Sequence, residues 1–348
     1  MEIAEIIFWI SWILLAYHLV GYWMILFLFN SLFRKKKAPF LKEEFYPSIT
    51  VICPAYNEEK VMEAKIQSFL NLDYPQDKIK MIVISDDSTD RTNEIVQKYT
   101  NQNISLIIQK PRAGKPNALN LVLPLLDSDY VLSTDADCLF EPQCVKMLVA
   151  NMLSDEKIGL VSGNVKKVQK GKLESGEGFY WKYEAFLKLM ESRFNTIIGA
   201  SGVIYLIKRE LFTAIELNSP DDFERVLITI KYGKIATFEP QANVLMEFTE
   251  RATEEISRKV RIITREWYVL QRNIKLLNPF RYPAVSFILF FHKVLRWLFF
   301  VFVLTGFISN AFFFFFFFYR VVFIFQVIFY LLGTVGLIFQ VYGHHIPL

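Results

Sequence analysis

Residues 6–33 of this 348-residue chain form an apolar run that contains no Asp, Glu, Lys or Arg. About 20 such residues are enough for a helix to cross the hydrocarbon layer of a bilayer. A cleaved signal peptide is the alternative, but it would have a basic start and a shorter apolar stretch, whereas Glu2 and Glu5 precede this run. The sequence therefore predicts an N-terminal transmembrane helix over residues 1–33.

A second apolar block, residues 285–348, contains no acidic residue. It predicts two further transmembrane helices, at 285–309 and 312–342, with a turn at Ser309-Asn310 and a run of phenylalanines beside it. Three shorter or re-entrant passes are the alternative. A transporter or channel is a poor fit, because three spans without intramembrane acidic residues provide little for a transport path.

Basic residues indicate the orientation of the first span. Residues 34–37 (RKKK) follow it directly, and Lys and Arg beside a span are retained in the cytoplasm. We therefore expect an integral protein of the cell membrane with its N-terminus outside. The predicted organisation continues with a basic juxtamembrane linker at 34–46 that can contact membrane lipids, a cytoplasmic domain at 47–250 and interfacial amphipathic helices at 251–284.

Composition narrows the function classes of the cytoplasmic region. The net charge of +4 is too small to indicate a nucleic-acid partner. Cys53, Cys138 and Cys144 are odd in number and form no Cys-x-x-Cys pair, so neither a disulfide framework nor a zinc site is predicted. The phosphate-binding motif of P-loop NTPases is missing from the sequence, which disfavours that class of enzyme.

The region from Pro47 to Arg281 alternates between short apolar runs and stretches of helical periodicity. The short runs are rich in Val and Ile, as expected for strands buried on both faces of a sheet. Such alternation predicts an α/β fold with a mostly parallel, Rossmann-like sheet. The predicted strands are 48–53, 81–85, 104–109 and 130–134, and the predicted helices are 58–72, 91–100 and 115–126.

Chemically active side chains follow the predicted strands, and open α/β sheets bind ligands at the carboxyl ends of their strands. Asp135 and Asp137 follow the fourth strand, and one or two carboxylates beside substrate phosphates commonly hold Mg²⁺ or Mn²⁺. Asp86 follows the second strand, where its carboxylate can accept hydrogen bonds from a base or ribose. Lys115 lies in a basic turn suited to a diphosphate. An ordinary solvated turn is the alternative for the Asp135 and Lys115 segments, and a helix N-cap is the alternative for residues 86–92.

Six motifs complete the pattern: 54–59 (PAYNEE), 85–92 (SDDSTDRT), 112–120 (RAGKPNALN), 133–138 (STDADC), 199–210 (GASGVIYLIKRE) and 220–227 (PDDFERVL). Their order is that of family 2 glycosyltransferases, and the chain resembles the inverting, membrane-attached members related to hyaluronan, chitin and cellulose synthases. The resemblance covers residues 48–245 and continues into the flanking membrane helices. It implies a glycosyltransferase A-type domain.

The resemblance also assigns roles to individual residues. The implied donor-binding residues are Pro54, Tyr56, Glu58, Asp86, Lys115, Asp135 and Arg261, and the implied metal aspartates are Asp137 and Asp135. Asp222 is the implied general base, and the acceptor side is formed by Gly199, Ser201, Gly202 and Asp221.

The implied reaction is a metal-dependent transfer with inversion, in polysaccharide or glycolipid synthesis. Its donor is a nucleotide sugar such as a UDP-sugar, its acceptor is lipid-linked or a saccharide, and its cofactor is Mg²⁺ or Mn²⁺. A non-catalytic membrane scaffold that retains the fold is the alternative. Whether chains associate into an oligomer is left open.

Three positions depart from the family pattern. Asp87 occupies a customary glycine position, and Asp tolerates a positive φ better than most residues do. The Glu-Asp pair of the family appears as Asp221-Asp222, which keeps the base. Residues 258–262 (RKVRI) replace the Gln and Trp of the Gln-x-x-Arg-Trp motif. Because that tryptophan belongs to the acceptor channel of processive synthases, its replacement argues against polymerisation.

Overall fold

The structure is a computed structural model that describes residues 2–32, 45–169, 172–173, 178–247 and 252–342. Most of the predicted basic linker, residues 34–44, therefore lies outside the described residues. The chain divides into two units. The sheet unit consists of Asn30–Phe248 and Arg265–Lys275, and the helical unit consists of Met1–Phe29, Thr249–Thr264 and Leu276–Leu348.

Strands and helices alternate through the first half of the sheet unit, as predicted. The strands are β1 (Ile49–Ala55), β2 (Ile79–Asp86), β3 (Ile104–Gln109), β4 (Tyr130–Thr134), β5 (Cys138–Phe140), β6 (Ile158–Gln169), β7 (Lys172–Leu173), β8 (Ile204–Lys208) and β9 (Ile235–Glu247).

Helices of the described chain belong to both units. In chain order they are α1 (Glu2–Ala16), α2 (Tyr22–Leu32), α3 (Met62–Leu70), α4 (Thr92–Gln97), α5 (Lys115–Leu121), α6 (Cys144–Leu153), α7 (Gly178–Phe194), α8 (Asp221–Lys231), α9 (Ala252–Arg272), α10 (Pro283–Ile288), α11 (Leu295–Trp297), α12 (Phe299–Ala311) and α13 (Phe317–Tyr342).

The described strands form one mixed, largely parallel sheet in the order β3-β2-β1-β4-β8-β6-β9-β5, with β7 beside β6. Strands β1 to β4 pair in parallel, while β8 runs antiparallel to both β4 and β6. The predicted α/β fold class is confirmed. The antiparallel β8 was not predicted, because one reversed strand has the same apolar composition as its parallel neighbours.

Burial explains why the short Val- and Ile-rich runs form the centre of this sheet. All residues of β1 except Pro54 are buried, as expected for a strand that is covered on both faces. Helix α3 packs on it through Met62, Ile66 and Phe69, which are 0% exposed and spaced to lie on one helix face. The core thereby fixes the strand ends that carry the motifs.

Parallel pairing brings the carboxyl ends of β1 and its neighbours to one edge. Ala55 at the end of β1 pairs with Ser85 of β2, and Asp86 pairs with Gln109 of β3. Strand β4 lies on the other side of β1 and leads into Asp135. Residues from separate motifs therefore meet at this edge because of the strand order.

Two loops at this edge are tied to each other through Asn57, which has a positive φ of 55°. The Asn57 backbone N–H donates to Ser88 Oγ (3.1 Å), and Asn57 Oδ1 accepts from the Thr89 backbone N–H (2.8 Å). Asp87, directly before Ser88, also has a positive φ, of 59°. This is a conformation that Asp tolerates better than most residues do.

In the helical unit, small and polar side chains let helices approach closely. Ser11 Oγ of α1 and Thr305 Oγ1 of α12 lie 2.9 Å apart. A Cβ placed on Gly306 would lie 3.3 Å from the Ser11 Cβ, so a larger residue would push the two helices apart. This is the kind of contact that holds membrane helices together, where apolar burial alone gives little discrimination between partners.

The predicted turn at Ser309-Asn310 is wrong, because α12 continues through both residues to Ala311. The turn lies instead at residues 312–316, within the phenylalanine run. Asn310 is fully buried, and its amide lies 2.8 Å from the amide of Gln326 on α13. The two amides satisfy each other between the helices. Asn310 therefore does not need the contact with solvent that a turn would give it.

Two described helical segments are long and apolar enough to cross a membrane. They are Glu2–Leu32, which includes α1 and α2, and Phe317–Gly336, which lies within α13. The pair Pro283–Trp297 and Phe299–Ala311 adds a third crossing if it acts as one span, although its two halves are bent by 59°. The predicted span at 285–309 is therefore interrupted, with the break at Leu298.

Replacing Asp87 tests the backbone requirement of the second motif. We expect Asp87→Val to lower the free energy of unfolding by about 1–3 kcal/mol, because a β-branched residue is strained at positive φ. The matched variant Asp87→Gly should remain within about 1 kcal/mol of the unsubstituted protein, since glycine adopts this conformation freely. Denaturant unfolding of the purified protein measures both, and equal midpoints for the two variants would contradict the prediction.

Candidate active site

Lys115 is the point at which four segments of the sheet unit meet. Its ammonium lies 2.8 Å from Asp135 Oδ1 after β4 and 3.4 Å from Asp221 Oδ1 at the start of α8. It also donates to the Gly202 carbonyl at 2.9 Å. Burial opposes its ionisation, but the two carboxylates outweigh this and raise the pKa of Lys115 well above its ordinary value. The lysine is therefore a fixed cation.

The backbone that carries Lys115 is held by Asp86. Asp86 Oδ1 accepts from the Ala113 N–H and Oδ2 from the Gly114 N–H, each at 2.8 Å, and the Gln109 amide also donates to Oδ1. Gly114 has a φ of 86° immediately before α5 begins at Lys115. A carboxylate that was predicted to face a base thus also orders the basic turn, and its contact with a base stays a prediction.

Tyr56 and Arg112 form the outer wall of this edge. The Arg112 guanidinium lies 3.6 Å from the centre of the Tyr56 ring, and its Nε lies 3.9 Å from Asp86 Oδ2. Both side chains are exposed on their outer side. A planar cation stacked on an aromatic ring is a favourable contact, and it presents a flat surface beside the β1 and β2 loops.

A cluster of carboxyl groups lies between the ends of β1 and β4. Burial, then the charges of Asp137, Asp135 and Asp90, raise the pKa of Glu58 to about 7. Desolvation and the neighbouring Asp135 likewise raise the pKa of Asp137, against the opposing charges of Lys65 and Lys115. Burial first, and neighbouring carboxylates second, therefore disfavour the ionised forms of Glu58 and Asp137.

The chemistry of this cluster fits a hard divalent cation. Carboxylate oxygens from Asp135 and Asp137 are ligands that Mg²⁺ and Mn²⁺ accept, usually together with substrate phosphates. A cation would also offset the mutual repulsion of the acidic groups. Among the described residues, no group of three His, Cys, Asp or Glu side chains is arranged to hold a metal by itself.

Asp221 and Asp222 occupy different environments at the start of α8. Asp221 is buried, and the Tyr205 hydroxyl donates to its Oδ2 at 3.0 Å while Lys115 lies at its Oδ1. Asp222 is less buried, and its Oδ2 would lie 3.3 Å from a Cβ placed on Gly202. The absence of a side chain at Gly202 therefore keeps the Asp222 carboxylate from being crowded, and Asp222 Oδ1 accepts from the Phe223 N–H at 3.0 Å.

Nearly all the predicted site residues of the sheet unit lie at this one edge. Ser201 joins them through its backbone N–H, which donates to Ser162 Oγ at 2.8 Å, and Ala200 N–H lies 3.4 Å from the Asp222 carbonyl. Pro54 and Gly199 lie in the same segments of the chain. Arg261 belongs to the helical unit, so its donor-binding role stays a prediction.

Sequence reasoning missed two buried residues, Tyr205 and Lys65. Tyr205 lies on the antiparallel β8, inside the apolar stretch of the fifth motif, where it resembles an ordinary core residue. Lys65 lies on α3 and is 0% exposed. A lysine on the apolar face of a helix is the one sequence signal that could have found it.

Known proteins are similar to this chain in sequence and in fold. Residues 50–215 match the model of the family described as Glycosyl transferase family 2. "Probable glycosyltransferase YdaM" of Bacillus subtilis is 32% identical over 173 residues, which are 46% of this chain and 40% of that protein. "Poly-beta-1,6-N-acetyl-D-glucosamine synthase" of Staphylococcus aureus is 29% identical over 178 residues, which are 50% of this chain and 42% of the synthase.

The aligned part of the chain spans about two fifths of the length of these two relatives. Among solved structures, the mannosyltransferase PcManGT from Pyrobaculum calidifontis, in complex with GDP-Man and Mn²⁺, matches with a TM-score of 0.70 and 20% identity. That match covers 92% of this chain and 96% of the mannosyltransferase, and it confirms the predicted glycosyltransferase A-type fold. Residues 50–215 of this chain are therefore a family 2 glycosyltransferase domain.

Proposed function

We propose that this protein transfers a sugar, with inversion, from a nucleotide-sugar donor to an acceptor hydroxyl at the membrane. The observation that carries the proposal is the position of Lys115 between Asp135 and Asp221. Lys115 thereby connects two places: the end of β4, which is suited to a metal-bound diphosphate, and the start of α8, which is suited to a general base. A binding scaffold would not need that combination.

Asp222 is the general base of the proposed reaction. It takes the proton of the acceptor hydroxyl as the acceptor oxygen bonds to the anomeric carbon and the bond from that carbon to the diphosphate breaks. Asp221 is less suited to this role, because both of its oxygens already interact with Tyr205 and Lys115. Gly202, which carries no side chain, leaves space for the acceptor beside Asp222.

The leaving diphosphate is bound by the opposite side of the same edge. Asp135 and Asp137 would hold Mg²⁺ or Mn²⁺, which stabilises the negative charge that develops on the diphosphate. Lys115 contributes a fixed positive charge at the same place. Because the diphosphate leaves as a stabilised anion, no acidic group is needed to protonate it.

Tyr56, Arg112 and Asp86 form the proposed nucleoside side of the donor pocket, together with Pro54 and Glu58. The flat stack of Arg112 on Tyr56 suits a planar base. The mannosyltransferase PcManGT, which has a similar fold, is in complex with GDP-Man. A UDP-sugar is our proposed donor for this chain, on the resemblance to a synthase of a poly-N-acetylglucosamine.

The acceptor is proposed to be lipid-linked or a saccharide, delivered at the membrane surface. The helices Glu2–Leu32 and Phe317–Gly336 support membrane attachment by their length and composition. We further propose that the domain faces the cytoplasm and that the N-terminus lies outside, from the basic residues that follow the first span.

A panel of donors tests the proposed activity directly. Purified full-length protein should release UDP or GDP from at least one labelled nucleotide sugar in the presence of Mn²⁺ and membrane lipid extract. Chelation with EDTA should stop the release, and added Mn²⁺ should restore it. A protein that binds and turns over none of these donors would instead support the non-catalytic scaffold.

The substitution Asp222→Asn tests which of the two adjacent aspartates is the general base. We expect the rate of transfer to fall by about 10²–10⁴-fold, because an amide cannot accept the proton, while donor binding stays nearly unchanged. Asp221→Asn is the matched control and should instead weaken donor binding, since Lys115 loses one of the two carboxylates that hold its ammonium in position. Single-turnover rates and nucleotide titrations measure the two effects.

The outcome that would contradict this assignment is loss of donor binding by Asp222→Asn with a normal unfolding midpoint. Asp222 would then belong to the donor pocket and another group would have to act as the base.

The substitution Asp86→Asn tests whether the basic turn must be held in place. An amide nitrogen cannot accept from the Ala113 or Gly114 N–H, so at least one hydrogen bond of the turn is lost. We expect the free energy of unfolding to fall by about 1.5–3 kcal/mol and UDP or GDP to bind more weakly. The less buried neighbour provides the control variant Asp87→Asn, which should change neither quantity appreciably. If Asp86→Asn changes unfolding and nucleotide binding as little as Asp87→Asn does, Asp86 does not hold the turn.

A further inference from the structure

Lys65 is a fully buried cation directly beneath the Asp135-Ala136-Asp137 turn. It lies on α3 with Met62, Ile66 and Phe69, and all four side chains are 0% exposed. Among the described residues it has no carboxylate within 4.0 Å to form an ion pair. Burying an ammonium group away from water costs several kcal/mol unless its donors are satisfied.

All three donors of the Lys65 ammonium are directed at residues that flank the turn. Nζ donates to Thr134 Oγ1 at 2.8 Å, to the Cys138 carbonyl at 2.9 Å and to Cys138 Sγ at 3.2 Å. Thr134 precedes Asp135 and Cys138 follows Asp137. The lysine therefore joins the two ends of the segment that carries both aspartates.

Further contacts leave the ammonium little freedom to move. The Phe140 ring centre lies 3.9 Å from Nζ, which is a favourable position for a cation. Thr134 Oγ1 and Cys138 Sγ are 3.2 Å apart, so the groups that Lys65 joins also contact each other. A side chain with these partners acts as a rigid support for the turn.

We propose that Lys65 is a positioning residue, which holds the Asp135-Ala136-Asp137 turn from below so that its carboxylates are placed for the metal-bound diphosphate. This inference rests on the proposed function. Lys65 itself does not touch the substrate, since it is enclosed by the core of the sheet unit. Its effect is exerted through the backbone and side chains at both ends of the turn.

The substitution Lys65→Met tests this inference, because methionine keeps an unbranched side chain and removes all three donors. We expect the Mn²⁺ concentration for half-saturation, measured from free Mn²⁺ by electron paramagnetic resonance with UDP or GDP present, to rise about 10–100-fold. Losses of this size are typical when partners that orient metal ligands are removed. The control Lys146→Met removes the exposed contact with Asp73 and should leave the value unchanged.

A second pair of variants tests the same contact without placing a methionine in the core. Thr134→Val removes the hydroxyl that accepts from Lys65, whereas Thr134→Ser retains it. We expect a rise in half-saturating Mn²⁺ for the valine variant and recovery for the serine variant. A purely structural lysine would lower the unfolding temperature of each variant without changing the Mn²⁺ concentration that its folded fraction needs.

Two outcomes would overturn the inference. If folded Lys65→Met and Thr134→Val bind Mn²⁺ with the nucleotide as the unsubstituted protein does, the positioning role is wrong and the proposed function stands. If the unsubstituted protein binds neither Mn²⁺ with UDP nor Mn²⁺ with GDP, the proposed function fails, and the role of Lys65 fails with it.

Discussion

The ion pairs of Lys115 are the interaction on which the rest of the site depends. Asp135 and Asp221 come from parts of the chain that are far apart in sequence, and both lie within 3.4 Å of one ammonium group. Without that charge, the two carboxylates would repel each other across a poorly solvated edge of the sheet. The cation allows acidic groups to be concentrated where a diphosphate and a divalent metal are expected to bind.

Several groups of the site are held in place by a buried partner side chain. Asp86 orders the turn that carries Lys115, and the Tyr205 hydroxyl orients Asp221. In our proposal Lys65 does the same for the aspartate turn. These supports are buried, whereas Asp222 is only half-buried and Arg112 is exposed. Rigid support with open reactive groups is what preorganised catalysis requires, because little reorganisation is then left for the reaction itself.

The two units of the chain are stabilised by different physics. In the sheet unit, apolar strands and the inward face of α3 are removed from water, which is the main favourable contribution to folding. In the membrane location that we propose, the long apolar helices of the other unit do not gain in this way from lipid, so close contacts and polar pairs carry more weight. Ser11 with Thr305 and Asn310 with Gln326 are such pairs.

The sequence by itself determined the fold class, four strands and the approximate position of the apolar spans, because these follow from local periodicity and from motifs that are continuous in the chain. It also named most of the residues that meet at the carboxyl edge of the sheet. The tertiary structure alone decided three features of the fold and site. Strand β8 is antiparallel, Asn310 continues a helix, and Asp86 holds the basic turn. The tertiary structure alone also showed that Asp221 is engaged by Tyr205 and that Lys65 lies under the aspartates. Those features depend on which distant side chains come within a few ångströms of each other, and contacts of that range leave no periodic trace in a single sequence.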